Sequence, residues 1–284
     1  MKTSIHPTAI IEEGAQLGNN VTVEAYAVIK KNVILHDHVT IMSHAHIEGH
    51  TTIGEGTIIY PYACIGTSPQ ARKYQGETST ITIGKHCHIR EYVTINASLG
   101  EGSKSSVGDY CFIMAYCHIA HNSQVGNHVV MSNNATLAGH VTIEDYANIG
   151  GMTPLHQFTR IGRYAMVGGM SRVPCDVPPY TIGAGIPFRF GGLNLIGLKR
   201  HGFSVEIRRE LSRAFRLMYR SDLSTDEALV RIEADLHPFP EIQHWLEFCK
   251  KSKRGLTCVP GVMGELESQH DLLEDEVVEE QFVS

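Results

Sequence analysis

The amino-acid sequence predicts a mainly β protein, a parallel β-helix of six-residue repeats followed by a C-terminal α-helical domain. Three observations carry this prediction. Aliphatic residues recur at every sixth position over most of the chain, the recurrence stops near residue 190, and the segment beyond it has apolar residues at helical spacing. The 284 residues suffice for one large domain or two smaller ones.

The six-residue repeat is nearly continuous. It runs from Ile5 to Ile65 without a missing aliphatic residue, resumes from Ile83 to Ile95, and runs again from Val107 to Val173. Residues 66–80 and 96–106 interrupt it. These interruptions predict two excursion loops within a β-helix that spans residues 1–190.

A period of six fits neither a helix nor an ordinary hairpin sheet, whose periods are 3.6 and 2. A parallel β-helix explains it, since each repeat supplies one short strand and a corner, and three repeats close a triangular coil. The aliphatic residues then form an inward-facing ladder. Glycine often follows the ladder position and predicts tight corners at Gly18, Gly54, Gly66, Gly84, Gly108, Gly126, Gly150, Gly162 and Gly168.

Residues 191–258 predict an α-helical domain of three or more helices. "SVEIRRELSRAFRLMYR" places apolar residues on one helical face, and "STDEALVRIEADL" opens with the capping-box pair Ser224 and Glu227. "PEIQHWLEFCKKSKRG" predicts a helix with Pro240 in its first turn and an end at Gly255.

Composition narrows the class of protein. The net charge of −6 arises from the acidic segment 259–284, which predicts a flexible tail, and no basic block indicates nucleic-acid binding. No apolar run is long enough to predict a membrane span, and the N-terminus does not read as a signal peptide. Seven cysteines without a CxxC motif indicate reduced thiols in the cytoplasm.

Candidate functional residues emerge when the repeat is folded into coils. Because three repeats close a coil, residues 18 apart stack at the spacing of neighbouring strands. His121 then lies beneath Gly139, and Gly139 lies beneath Gln157. The stacking gathers on one edge His121, Asn122, Gly139, His140, His156 and Gln157.

This edge predicts acyl transfer. A neutral imidazole is a good general base near neutral pH, and Asn122 accepts from a ring N–H of His121 if its side chain curls back. Gly139 has no side chain, so its backbone N–H could stabilise an oxyanion. A zinc site built from three histidines is the rival, and many of the 17 histidines are expected to be simply solvated.

The sequence resembles the UDP-N-acetylglucosamine O-acyltransferase family over nearly all of residues 1–258. The joint presence of three motifs is highly specific and goes beyond a generic six-residue repeat: "LAGHV", "GGMTPLHQF" and "GLKRHGF". Further matching segments include "HPTAIIEEGAQLG", "QARKYQGE", "HIAHNSQVGN" and "MVGGMSRVPCDVPPY".

The resemblance implies a left-handed β-helix that assembles as a homotrimer with the active site between neighbouring subunits. It implies transfer of a 3-hydroxyacyl chain from acyl carrier protein to the glucosamine 3-position of UDP-N-acetylglucosamine, the first step of lipid A biosynthesis. No metal or other cofactor is implied.

The resemblance also implies roles for individual residues. His121 falls at the position of the catalytic base, Gly139 at the backbone oxyanion donor, and Gly169 at the position that sets acyl length, where glycine leaves room for a long chain. Asn194 and Arg200 fall at the nucleotide end. The other substrate-contacting positions are Gln70, Lys73, His118, His140, His156 and Gln157.

The chain departs from the family pattern at several positions. Asn122 replaces a common Asp after the base, which predicts a weaker base, and Ala71 replaces an Asp, which leaves open whether the acceptor is a 3-hydroxyl or a 3-amine. Met170 beside Gly169 could shorten or bend the acyl groove. Pro187 and Ile196 stand where polar nucleotide contacts are common.

Seven Lys or Arg and two Glu between Lys199 and Arg220 predict a basic face that attracts the acidic carrier protein. Three alternatives remain open at this stage. They are the related N-acyltransferase, which typically carries an extra N-terminal domain, a zinc hydratase of the same fold, and a non-enzymatic β-helical scaffold.

Overall fold

A computed structural model of the chain describes residues 3–256, so the predicted acidic tail 259–284 lies outside the described residues. The helices are Leu195–Arg200 (α1), Val205–Tyr219 (α2), Thr225–Asp235 (α3) and Pro240–Lys250 (α4). The strands are Ser4–Ile5 (β1), Ile10–Ile11 (β2), Gln16–Leu17 (β3), Thr22–Val23 (β4), Val28–Ile29 (β5), Ile34–Leu35 (β6), Thr40–Ile41 (β7), His46–Ile47 (β8), His50–Ile53 (β9), Ile58–Ile59 (β10), Cys64–Thr67 (β11), Thr80–Ile83 (β12), His88–Ile89 (β13), Thr94–Asn96 (β14), Lys104–Val107 (β15), Phe112–Ile113 (β16), His118–Ile119 (β17), Gln124–Val125 (β18), Val130–Met131 (β19), Thr136–Leu137 (β20), Thr142–Ile143 (β21), Asn148–Ile149 (β22), Pro154–Leu155 (β23), Arg160–Ile161 (β24), Met166–Val167 (β25), Thr181–Ala184 (β26) and Arg189–Leu193 (β27).

The strands form three parallel sheets that make the sides of a triangular left-handed β-helix. Sheet A runs from β1 through β4 and every third strand to β25, sheet B from β2 to β23, and sheet C from β3 to β24. Ser4 pairs with Thr22 and Ile5 with Val23, so neighbouring coils are in register 18 residues apart. The predicted fold class is confirmed.

The core of the β-helix is the predicted aliphatic ladder together with a second inward-facing row. The ladder is buried from Val23 to Val173, while Ile5 in the first coil is 48% exposed. Two residues before each ladder position stands a small or β-branched side chain, such as Val21 or Ala27, and it is also fully buried. The coils therefore bury one continuous apolar core that stacking extends.

The prediction that glycines form the corners is wrong. Asn, His, Tyr, Met and Phe occupy the left-handed corner positions, as at Asn20 and Tyr26, with φ of 56° and 59°. The glycines instead permit close approach between coils. A Cβ placed on Gly54 would lie 2.6 Å from the carbonyl carbon of Gly84 in the next coil.

Two loops leave the β-helix at the same corner, between sheets B and C. The first spans residues 68–79 between β11 and β12, and the second spans residues 97–103 between β14 and β15. Ile58 pairs with His88 across the first loop, and Thr94 pairs with His118 across the second. Register between coils therefore passes undisturbed through both.

The top of the β-helix is closed by an antiparallel hairpin. β26 extends sheet A in parallel with β25, and β27 returns antiparallel to it, so the predicted boundary at residue 190 falls inside β27. The four helices then pack around a second apolar cluster that includes Trp245, Phe248 and Leu211. Within residues 3–256, no helix is long and apolar enough to cross a membrane.

The helix termini match the sequence patterns in part. Ser224 and Glu227 form the predicted capping box of α3, and Pro240 begins α4. The predicted end of α4 at Gly255 is wrong, because the helix ends at Lys250. The chain then leaves the helix to contact the β-helix, where Ser252 Oγ donates to Asp176 Oδ2 at 2.8 Å and Asp176 N donates to Gly255 O at 2.9 Å.

Candidate active site

The candidate site lies at the corner between sheets B and C, directly after β17 and β20. The imidazole of His121 lies against Gly139 of the next coil. A Cβ built on Gly139 would lie 2.4 Å from His121 Cε1 and 2.6 Å from Nε2. Any larger residue at position 139 would displace the imidazole, so the stack requires glycine there.

Asn122 holds the imidazole of His121 in one tautomer. Its Nδ2 donates to Leu99 O at 3.0 Å, and its Oδ1 accepts from Leu99 N at 3.0 Å. The same Oδ1 lies 2.8 Å from His121 Nδ1. Because an amide oxygen only accepts, Nδ1 carries the proton and donates, which leaves the lone pair on Nε2 free.

The second excursion loop supports Asn122, and the sequence did not indicate this. Ser98 is fully buried, and its Oγ accepts a hydrogen bond from Asn122 N at 3.1 Å. Leu99 supplies both backbone contacts to the Asn122 amide. These residues lie where the six-residue period is interrupted, so no periodic signal marks them.

The backbone N–H of Gly139 has no hydrogen-bond acceptor within the part of the chain that the structure describes. At some equivalent turn positions the N–H donates to a side chain of the coil above, whereas at others, such as Ala115 and Asn133, it also has no acceptor within the described residues. Asp109 N donates to Asn127 Oδ1, and Asn127 N donates to Asp145 Oδ1, each at 2.8 Å. The Gly139 donor thus stands uncapped beside the imidazole of His121.

His118 and His140 flank His121. Thr94 Oγ1 lies 2.7 Å from His118 Nδ1. The His140 ring meets the His121 ring edge-on at 5.3 Å between centroids and stacks on Phe158 at 4.6 Å. Burial, and then the charge of a protonated His121, lower the pKa of both flanking histidines. Their neutral forms are therefore favoured near neutral pH.

His156 lies above this group, but both its ring nitrogens have partners. Arg254 Nη2 lies 3.2 Å from His156 Nε2, and since guanidinium only donates, Nε2 accepts. Nδ1 then donates to Gln157 O at 3.1 Å. A substrate contact by His156 would have to replace one of these bonds. Arg254 carries no periodic signal and was missed in the sequence.

Four of the residues that the resemblance implies lie away from His121 within this chain. Gln70 and Lys73 are exposed on the first excursion loop. Asn194 caps α1, where its Oδ1 accepts from Gly197 N and its Nδ2 donates to Tyr164 O. Arg200 is exposed at the end of α1. Asn194 and Arg200 lie off the edge that holds His121, whereas the first excursion loop leaves the β-helix at the same corner, two coils below His121.

Gly169 and Met170 lie at the other edge of sheet B, at its corner with sheet A. A Cβ on Gly169 would lie 3.2 Å from Gly151 O. The side chain of Met170 occupies a left-handed corner position with φ of 54° and is 65% exposed. The two residues sit three coils above His121, a rise of about 14 Å at the usual strand spacing.

Within residues 3–256, no group of three His, Cys, Asp or Glu side chains is arranged to hold a metal ion. The two flanking histidines and His121 share one edge, but they do not form such a cluster. The groups on this edge that can take part in a reaction are its imidazoles and the backbone N–H of Gly139.

The coils and the family model that they match place the chain in the class of six-residue-repeat transferases. A family model described as bacterial transferase hexapeptide (six repeats) matches residues 32–67 and 104–139. A second, described as UDP-N-acetylglucosamine O-acyltransferase, domain 2, matches residues 176–257.

Relatives with full-length similarity make the family specific. An acyl-[acyl-carrier-protein]–UDP-N-acetylglucosamine O-acyltransferase of Chlamydia caviae is 49% identical over 280 residues, covering 98% of each chain. That of Chlamydia abortus is 52% identical over 255 residues, covering 89% of this chain and 91% of the relative. The chain therefore belongs to the UDP-N-acetylglucosamine O-acyltransferase family.

Solved structures agree. The UDP-N-acetylglucosamine acyltransferase LpxA of Bacteroides fragilis is 39% identical with a TM-score of 0.87, covering 89% of this chain and 99% of the other. The enzyme of Francisella novicida is 32% identical with a TM-score of 0.88, covering 90% and 95% of the two chains.

Proposed function

We propose that the chain transfers a 3-hydroxyacyl group from acyl carrier protein to the glucosamine 3-position of UDP-N-acetylglucosamine, the first step of lipid A biosynthesis. The observation that carries the proposal is the pairing of a free Nε2 lone pair on His121 with the uncapped N–H of Gly139. Relatives of the same name over nearly the full length support the substrates.

The proposed mechanism is general base catalysis without a metal or other cofactor. His121 Nε2 takes the proton from the acceptor 3-hydroxyl, and the oxygen attacks the thioester carbonyl carbon. The carbonyl oxygen becomes an oxyanion that accepts from Gly139 N–H. The intermediate collapses, the carbon–sulfur bond breaks, and the thiolate of the carrier takes the proton from the imidazolium.

Asn122 acts as the partner that orients the base. A carboxylate at this position would stabilise the imidazolium, whereas the neutral amide of Asn122 stabilises it less. The amide offers in return a donor to Leu99 O, which a carboxylate lacks. We infer that Asn122 makes His121 a weaker base than a carboxylate would, and that it holds the imidazole more rigidly.

The substrate contacts require a second copy of the chain. His118, His140 and Gln157 share the edge with His121. Gln70 and Lys73 are exposed on the first excursion loop, and Asn194 and Arg200 belong to the α1 region, with Arg200 exposed. A homotrimer with the site between adjacent β-helices would bring the two groups together. The exposure of the first excursion loop at the same corner supports this arrangement.

The acyl chain is proposed to run across the outward face of sheet B. The face lies between the edge of His121 and the edge of Gly169, and glycine at position 169 leaves room for a long chain. The exposed side chain of Met170 is directed away from the packed coils, so it would border the end of such a groove.

The helical domain is proposed to dock acyl carrier protein in the cytoplasm. Five basic residues between Lys199 and Arg220 are exposed, while Arg208 donates to Phe203 O and Arg213 pairs with Glu210. The exposed set is Lys199, Arg200, Arg209, Arg216 and Arg220. A cytoplasmic location is consistent with the free cysteines of the described residues, such as Cys87 and Cys111.

Mass spectrometry of products tests the proposal. Purified protein is mixed with UDP-N-acetylglucosamine and 3-hydroxyacyl carrier proteins of increasing chain length. With UDP-N-acetylglucosamine the expected product is an ester on the 3-oxygen, which hydroxylamine cleaves. A parallel reaction with the 3-amino analogue of the nucleotide sugar tests for the hydroxylamine-resistant amide that the Ala71 departure leaves open. The absence of any transfer would favour a scaffold, and stoichiometric zinc with hydratase activity would favour that alternative.

A further inference from the structure

A basic cleft lies beside the proposed active site, on the sheet C side of the same corner. Its cavity of about 600 Å³ is bounded on one side by the stacked rings of His140 and Phe158. The segment after α4 forms the other side. The polar and charged residues that line it are Thr142, Arg160, Asp176, Lys251, Lys253 and Arg254.

Two of the four cations in the cleft have carboxylate partners. Arg160 lies over the ring of Phe248 at 4.0 Å and 3.7 Å from the buried carboxylate of Asp176. Lys251 pairs with Glu247 at 3.2 Å. These contacts compensate much of the charge of both cations.

The other two cations are less fully compensated, although the charge of Arg254 favours the ionised form of the Asp176 carboxyl. Lys253 forms no ion pair with any residue in the described range 3–256, and its side chain belongs to an exposed residue. Arg254 donates to two neutral acceptors, Pro174 O at 2.8 Å and His156 Nε2 at 3.2 Å. A planar guanidinium held in place beside a free ammonium is a good receptor for phosphate oxygens.

The cleft is continuous with the reaction centre. His140 forms part of its wall, and the His140 ring lies 5.3 Å from the ring of His121. Arg254 binds His156, which stands on the same edge. A substrate held at His121 could therefore place an anionic group in the cleft.

We propose that the cleft beside Lys253 and Arg254 is a phosphate-binding subsite for a substrate of the acyl transfer. This inference rests on the proposed function. Two substrates carry the required chemistry: the diphosphate of the nucleotide sugar, and the phosphodiester of the carrier's pantetheine arm. The aromatic wall of His140 and Phe158 would contact the apolar faces of either.

Steady-state kinetics of Lys253→Glu and Lys253→Gln tests the subsite. Lys253 makes no contact that the fold depends on, so both variants are expected to fold. KM is measured separately for UDP-N-acetylglucosamine, for acyl carrier protein, and for an acylated phosphopantetheine without the protein. Lys250→Gln is the matched control, since Lys250 pairs with Glu233 at 2.7 Å outside the cleft.

A phosphate bound in the cleft predicts a rise in KM of about 10-fold or more for Lys253→Glu, with kcat within twofold and no change in the control. A rise for the nucleotide sugar alone assigns the diphosphate. A rise for both the carrier protein and the free phosphopantetheine donor assigns the arm. A rise for the carrier protein but not for the free donor would contradict the subsite and indicate protein docking, and no change in any KM would also overturn it.

Failure of the proposed function would be visible separately, as a wild-type protein that transfers no acyl group. Calorimetric titration of wild type and Lys253→Glu with UDP and with phosphopantetheine would then decide the subsite by itself. Binding of either compound that weakens about 10-fold in the variant supports it, and equal or absent binding contradicts it.

Discussion

At the scale of single residues, the chemistry depends on which proton sits on which atom. His121 is one of 17 histidines, and what separates it from the others is its surroundings. Asn122 accepts the proton on Nδ1, Leu99 keeps the Asn122 amide from rotating, and Gly139 makes room for the ring. Asn122, which contacts the imidazole on the nitrogen away from the reacting atoms, thus decides whether the imidazole can act as a base.

His121→Ala is expected to reduce kcat by at least about 100-fold, because the variant has no group to take the acceptor proton. The melting temperature should stay within a few degrees of wild type, since the His121 side chain is not part of the apolar core. Turnover and thermal unfolding are measured together, with His36→Ala, at the corner between sheets C and A, as control. Turnover within threefold of wild type would refute the assignment.

Asn122→Asp tests the role of the neutral partner. A carboxylate favours the imidazolium form of its neighbour, so the acid limb of the kcat/KM profile should move to higher pH. The variant also loses the donor to Leu99 O, so the second excursion loop should exchange amide hydrogens faster. Asn134→Asp, at another left-handed corner, is the matched control. An unchanged acid limb would show that Asn122 does not contact the working base.

At the scale of elements, two-residue strands are stable only because each is paired above and below. A single pair would be marginal, and the stacking of coils makes the short strands cooperative. The glycines that follow the ladder serve this stacking by letting backbones approach. The sequence pattern revealed their positions but suggested the wrong reason, since the corners themselves accept side chains as large as Tyr26.

Gly54→Ala is expected to lower the free energy of unfolding by about 1–3 kcal/mol, because its Cβ would press on the Gly84 backbone at 2.6 Å. Urea denaturation measures the change. Gly191→Ala is the control, since a Cβ there meets nothing closer than Ile182 O at 3.6 Å. Equal free energies of unfolding for the two variants would mean that the coils accommodate the extra methyl group at Gly54 without loss of stability.

At the scale of the whole molecule, two apolar cores are joined by Phe190, which packs against both, and by a small number of polar contacts. Glu144 of the β-helix pairs with His244 of α4 at 2.9 Å, and Arg160 donates to Phe248 O at 3.1 Å. The second contact places the segment after α4 beside the candidate site. The helical domain therefore serves the site as well as closing the β-helix.

Arg216→Glu is expected to raise KM for acyl carrier protein several-fold without changing KM for the nucleotide sugar. The exposed guanidinium would otherwise attract the acidic carrier, and added salt should narrow the difference from wild type. Lys85→Glu, on sheet C far from α2, is the control for net charge. An equal rise in KM for acyl carrier protein in both variants would show that the helical domain is not the docking surface.

The features that follow the six-residue period could be predicted from the sequence, and those that lie outside it could not. Periodicity alone located the ladder, the three-sided coil and the stacking of His121 on Gly139. It could not reveal Leu99 or Arg254, because both lie in segments without a period and act through backbone and long-range contacts. The predicted end of α4 was wrong for the same reason. The segment after the helix is held by the hydrogen bond from Ser252 to Asp176, a tertiary contact that local sequence does not reveal.

The register across the two loops has a consequence for the history and engineering of this protein. Neighbouring coils are offset by 18 residues, yet Ile58 pairs with His88 and Thr94 with His118, so the loops add two repeats and one repeat. The extra length that each loop adds between paired strands is therefore a whole number of six-residue repeats. Insertions or deletions of six residues within a wall would keep every inward-facing residue inward, and a single-residue change would turn the following strand inside out.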